Sequence, residues 1–87
     1  MSYRVTEIQP TPNPNAAKFV LDRSVAEQPM SFFNAAAAEG HPLAERLFAI
    51  KGVSSLLLLG DFVTVNKTAE AQWDQVAAQV KAVLAKG

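Results

Sequence analysis

An α/β two-layer sandwich is the fold class this sequence predicts: one sheet of four strands, or five, with two helices covering one face. Three observations carry it. Apolar residues alternate with a period of two in several stretches, and recur with helical spacing in two others. Each helical stretch has only one apolar face and needs a sheet to cover. The chain has 87 residues, 49% of them apolar, which suits one small domain, residues 1–87, around one core.

The elements follow in order. Tyr3 to Gln9 reads as a strand, with Tyr3 and Val5 on one face and Arg4, Thr6 and Ile8 on the other. Pro10, Pro12 and Pro14 then stop the ladder, since proline has no N–H to donate. Ala17 to Asp22 is a second strand, with Phe19 and Leu21 sharing a face. Arg23 to Pro29 is a polar connection, and Met30 to Asn34 can form a short further strand. Ala35 to Glu39 has high helix propensity, which Gly40 interrupts.

Pro42 suits the first position of a helix, where a missing N–H costs nothing. Leu43, Leu47, Phe48 and Ile50 give that helix its apolar stripe, and Gly52 fits its stop. Val53 to Leu59 is apolar on both faces at its centre and is expected inside the sheet. Gly60-Asp61 is a two-residue hairpin signal of type II′, returning the chain into Phe62–Asn66. A long helix starts at Lys67 or Thr68. Glu70 and Asp74 lie towards its positive end, Lys81 and Lys86 towards its negative end. Trp73, Val76, Val80, Val83 and Leu84 form its stripe.

Composition excludes several functions. Eight basic and eight acidic side chains cancel, which argues against a nucleic-acid or anionic-membrane footprint. There is no cysteine, hence no disulfide, thiolate metal site, cysteine-held iron–sulfur cluster or thiol nucleophile. The start of the sequence has no apolar segment of the signal-peptide kind, and Leu56–Leu59 is too short to span a bilayer. A cytoplasmic protein is expected.

No catalytic arrangement emerges. His41, the single histidine, stands between Glu39 and Glu45. The three could hold a metal ion, but a solvated helix start with the imidazole at the cap position is the preferred reading, because one imidazole with loose carboxylates is unselective. Asp61 is explained by its turn and Asp74 by the helix dipole; no spacing pairs them, or Asp22, for acid–base work. Ser54 and Ser55 have no local base, and the four glycines do not form a phosphate loop. Trp73 suits either a core position or a binding hot spot. The chain is expected not to be an enzyme.

The stretch Thr11 to Phe19, TPNPNAAKF, admits two readings. Gln9, Thr11 and Asn13 each precede a proline and are pushed towards extended conformations. Asn13 and Asn15 can bond to nearby backbone. Such a segment is either a stiff connector or a preordered surface that loses little entropy on meeting a partner.

Together with HPLAERLFAIKGVSSL (41–56), GDFVTVNK (60–67) and Trp73, this stretch resembles the N-terminal domain of the Nfu iron–sulfur scaffold proteins, in order and over nearly the whole chain. In that family a separate NifU-like domain carries the Cys-x-x-Cys that holds the cluster. The resemblance implies a stand-alone accessory module that contacts assembly or cluster-accepting proteins, among them a separate Cys-x-x-Cys NifU-like protein, and holds no cluster itself. Its candidate contact residues are Thr11, Asn13, Asn15, Lys18, Thr64 and Lys67. Two other functions stand beside it: direct iron binding through His41, Glu39 and Glu45, and a structural or oligomerisation module without an iron–sulfur role. The sequence departs from the family pattern at His41, where serine is common, at Asn66, where threonine is frequent, and in a shorter Gly60-Asp61-Phe62 turn.

Overall fold

A computed structural model describes residues 2–86. The elements are β1 (Val5–Pro10), β2 (Ala16–Leu21), β3 (Ala26–Phe32), a 3₁₀ turn (Ala36–Ala38), α1 (Pro42–Phe48), β4 (Val53–Gly60), β5 (Phe62–Lys67) and α2 (Trp73–Lys86). All five strands join one antiparallel sheet in the order β1-β2-β5-β4-β3. The fifth strand is therefore real. It begins four residues earlier than Met30, inside the stretch expected to be a polar connection. Pro29 sits within it, which a sheet tolerates because β3 is an edge strand.

Register explains the core. One face of the sheet carries the row Ile8–Phe19–Val63–Leu58–Met30 and, beside it, Pro10–Ala17–Val65–Leu56–Phe32. Val76, Val80 and Leu84 of α2 and Leu43, Ala44 and Leu47 of α1 are buried in one cluster with the centres of these rows. The opposite face carries Glu7–Val20–Phe62–Leu59 and Gln9–Lys18–Thr64–Leu57–Ser31. The side chains at its centre are half-buried.

β1 departs from simple alternation. Val5 pairs with Leu21 and Ile8 with Phe19, with a bulge between Val5 and Glu7. The extra residue moves Ile8 onto the same face as Val5, because one inserted residue shifts the pleat by one.

The Gly60-Asp61 hairpin is as expected. Gly60 has φ +57°, Asp61 is not at positive φ, and Leu59 pairs with Phe62; one left-handed residue in the first turn position is the type II′ pattern.

α1 starts at Pro42, and His41 caps it: the imidazole Nδ1 accepts a hydrogen bond from the Ala44 N–H at 3.1 Å. The ring also meets Phe32 edge-on, with centroids 5.4 Å apart. His41 thus does the work of the serine common in the resemblance. His41→Ala is expected to lower stability by about 0.5–2 kcal/mol and His41→Ser to recover most of it. Thermal unfolding of the two variants checks this; equal losses would argue that only the contact with Phe32 matters.

α2 starts at Trp73, later than Lys67 or Thr68. The intervening turn is pinned elsewhere: Thr68 N–H donates to the Gly52 carbonyl at 2.7 Å, and Ala71 N–H to the Thr68 carbonyl at 3.1 Å. Gln72 then supplies the first carbonyl of the helix, accepting from Val76 N–H at 3.0 Å. Glu70 consequently lies outside the helix, while Asp74 is in its first turn and Lys86 in its last.

Candidate functional site

The proline stretch is a closed network of hydrogen bonds. Thr11 Oγ1 lies 2.9 Å from the Asn13 carbonyl and 3.0 Å from that of Ala16, the two acceptors within reach of its single proton, and accepts from Asn13 N–H. Asn15 N–H donates to Asn13 Oδ1 at 2.9 Å, and Ala16 N–H to the Asn13 carbonyl at 3.0 Å. These are the local side-chain turns that Asn and Thr favour.

Two residues far along the chain lock this loop in place. Lys67 N–H donates to the Asn15 carbonyl at 2.8 Å, and its Nζ to Asn15 Oδ1 at 2.9 Å. The Trp73 indole N–H donates to the Pro14 carbonyl at 2.9 Å. Trp73 also packs on Phe19, with centroids 6.3 Å apart, and Lys67 Nζ lies 5.6 Å from the indole centroid. Trp73 thus packs against the core, as one of its two readings expected, and also ties down the loop.

The loop, β1 and the start of α2 enclose an apolar groove of about 330 Å³. Ile8, Pro10, Pro14, Trp73 and Ala77 line it. Ile8 is 39% exposed, at the outer end of the row whose inner members, Phe19, Val63 and Leu58, are fully buried. A groove of this size with mostly apolar walls is the usual form of a binding site.

The six candidate contact residues separate into two places. Thr11, Asn13, Asn15 and Lys67 come together at the loop, where each spends a side-chain polar atom on holding its shape. Lys18 and Thr64 face each other across β2 and β5 on the opposite face of the sheet. There Lys18 Nζ sits 4.1 Å from the Phe62 ring centroid, a cation–π contact. Ile8 and Ala77 were not among the candidates: nothing in the alternation of β1 marks the bulge that brings Ile8 to the groove.

Glu39, His41 and Glu45 do not form a ligand set. Among the described residues, no three His, Cys, Asp or Glu side chains are grouped so as to hold a metal ion. His41 Nδ1 is committed to the helix cap, and Glu45 Oε2 reaches back to Gly40 N–H at 3.4 Å.

A second, more polar groove of about 490 Å³ lies where β1 begins, between Arg4, Asp22, Arg23 and Lys81. The Arg4 backbone N–H donates to Asp22 Oδ1 at 3.0 Å. This bond, aided by the Arg23 and Arg4 charges, holds the Asp22 carboxyl below its ordinary value.

Residues 5–87 match the family model described as scaffold protein Nfu/NifU N terminal. The chain belongs to this family. It is 39% identical over 84 residues to the human NFU1 iron-sulfur cluster scaffold homolog, mitochondrial, covering 94% of this chain and 33% of that protein. The Drosophila erecta protein of the same name is 35% identical over 80 residues, covering 90% and 28%. The chain thus spans about a third of the length of these Nfu relatives. Among solved structures, a NifU-like protein from Saccharomyces cerevisiae matches with a TM-score of 0.77 at 27% identity, covering 99% of this chain and 81% of that one. Protein SAV1430 from Staphylococcus aureus matches with a TM-score of 0.76 at 25% identity, covering 92% and 96%. No helix among the described residues of this Nfu N-terminal chain is long and apolar enough to cross a membrane.

Proposed function

We propose that this chain is an accessory module of iron–sulfur cluster assembly that acts by protein contact and neither catalyses a reaction nor holds the cluster. Cluster irons are ordinarily held by cysteine thiolates, and this sequence supplies none. The observation that carries the reading is the prolyl loop fixed by Lys67 and Trp73 beside an apolar groove. A preordered surface of this kind binds a partner without first having to be ordered. Partners are assembly or cluster-accepting proteins, among them a separate Cys-x-x-Cys NifU-like protein. The setting expected from the sequence is cytoplasmic, whereas the human and fly relatives carry mitochondrial names.

Affinity capture from the source lysate tests this, comparing the natural chain with Ile8→Glu, which places a charge in the groove. The natural chain is expected to recover cluster-assembly or cluster-accepting proteins, and the variant to lose them. Recovery of no such protein by the natural chain overturns the proposal.

A further inference from the structure

The two grooves have the same two walls. Trp73 and Ala77 line the apolar groove, and Lys81 lines the polar one. These residues stand four apart on α2 and form a single ridge beside the buried row of Val76 and Val80. The other wall is β1 with the residue before it, from Arg4 and Val5 at the polar groove to Ile8 and Pro10 at the apolar one. The two grooves share no lining residue but lie in line, so together they form an interrupted trough along the edge strand, roughly 12 Å from Trp73 to Lys81 at the helical rise of about 1.5 Å per residue. One end is apolar. The other holds three cations, Arg4, Arg23 and Lys81, against one carboxylate, Asp22. The only ion pair there among the described residues is Arg23 with Asp22, at 3.7 Å. A chain with no net charge has thus concentrated positive charge at one end of an apolar channel.

We infer that this trough receives an extended segment of a partner protein, one that carries a bulky apolar side chain at one end and carboxylates about four residues away. The spacing follows from the length, since an extended chain advances about 3.3 Å per residue. Charge complementarity selects the acidic end. Regular strand addition to β1 is blunted, because Pro10 offers no N–H and the bulge after Val5 breaks the ladder. Recognition consequently falls to the side chains in the trough. The inference takes from the proposed function only that this chain works by protein contact.

The test pans random twelve-residue peptides displayed on phage against the intact chain, with counter-selection on the Arg23→Glu/Lys81→Glu double variant. Both substituted side chains are exposed, and circular dichroism checks that the variant is folded. Enriched peptides are expected to share an apolar residue and carboxylates at that spacing. Their Kd, read by fluorescence anisotropy, should rise at least tenfold on the double variant and rise again on Ala77→Trp, which fills the apolar end. No enrichment, peptides without the pattern, or equal binding to the variants overturns the inference. The two proposals fail separately. Patterned peptides with no cluster proteins in the lysate capture would leave the trough and remove the iron–sulfur role. Capture of cluster proteins undiminished by the double variant would do the reverse.

Discussion

Gly52→Ala is expected to cost about 2–5 kcal/mol of stability, from a left-handed backbone and an added methyl with no room. Gly52 has φ +102°, and a Cβ built there would lie 2.6 Å from the Ala71 Cβ. Both groups are short and fixed. Ala71 belongs to the turn that Thr68 ties back to the Gly52 carbonyl, so the methyl can escape only by moving that turn and the start of α2. A domain of this length holds roughly 4–13 kcal/mol in all, taking about 0.05–0.15 kcal/mol per residue. The melting temperature should therefore fall by roughly 10–30 °C. Gly40→Ala is the matched control: φ is +91°, but nothing lies within 4 Å of the added Cβ, so only the backbone term of about 1–2 kcal/mol applies. Urea titrations of the two variants separate the terms, and equal losses would mean that the Ala71 contact yields freely.

Trp73→Ala is the second large effect, at about 2–4 kcal/mol. A fully buried Trp or Phe truncated to Ala loses about 3–5 kcal/mol, and Trp73 is half-buried. The loss is that of contact with Phe19 and the rest of the core cluster. The released Pro14 carbonyl can turn to water, so the hydrogen bond adds little to the total. Trp73→Phe keeps an aromatic ring and deletes the indole donor, and is expected to cost about 0.5–1.5 kcal/mol. Its informative readout is local. With the tie to Pro14 gone, the amide of Ala16, bonded within the loop, should exchange faster than in the natural chain while the β4 and β5 amides stay protected. Unchanged exchange at Ala16 in both variants would show that the loop holds itself without α2.

Much of this architecture was legible in local pattern. The Leu43–Leu47 stripe, Pro42 at the helix start and the Gly60-Asp61 turn each carry their instruction within a few residues, and the helix start and the turn formed where they were read; the helix stops at Phe48, so that Ile50, expected on its stripe, and Gly52, expected as its stop, lie beyond it. What escaped was set at a distance. β3 extends back to Ala26 because Ala26 pairs with Gly60 at the end of β4, across an irregular stretch, Glu27-Gln28-Pro29, that has no partner and that nothing in its polar sequence announces. α2 waits until Trp73 because Gly52 holds Thr68. The candidate site divides in the same way. Asn13 and Asn15 were readable as turn formers, and TPNPNAAKF as one motif of a recognisable domain. That Asn15 would spend its side chain on Lys67, 52 residues away, and that a bulge would turn Ile8 into the groove, depend on register, which alternation alone does not encode.

The pairing of β2 with β5 has a consequence for how the chain is made. These strands are the middle of the sheet, yet β5 follows β2 by about 40 residues. During synthesis at roughly 5–20 residues per second, the β1–β2 hairpin waits several seconds with Phe19 uncovered and one strand edge unpaired. The sheet closes last at its centre. A nascent hairpin in that state invites capture by chaperones or by a neighbouring copy.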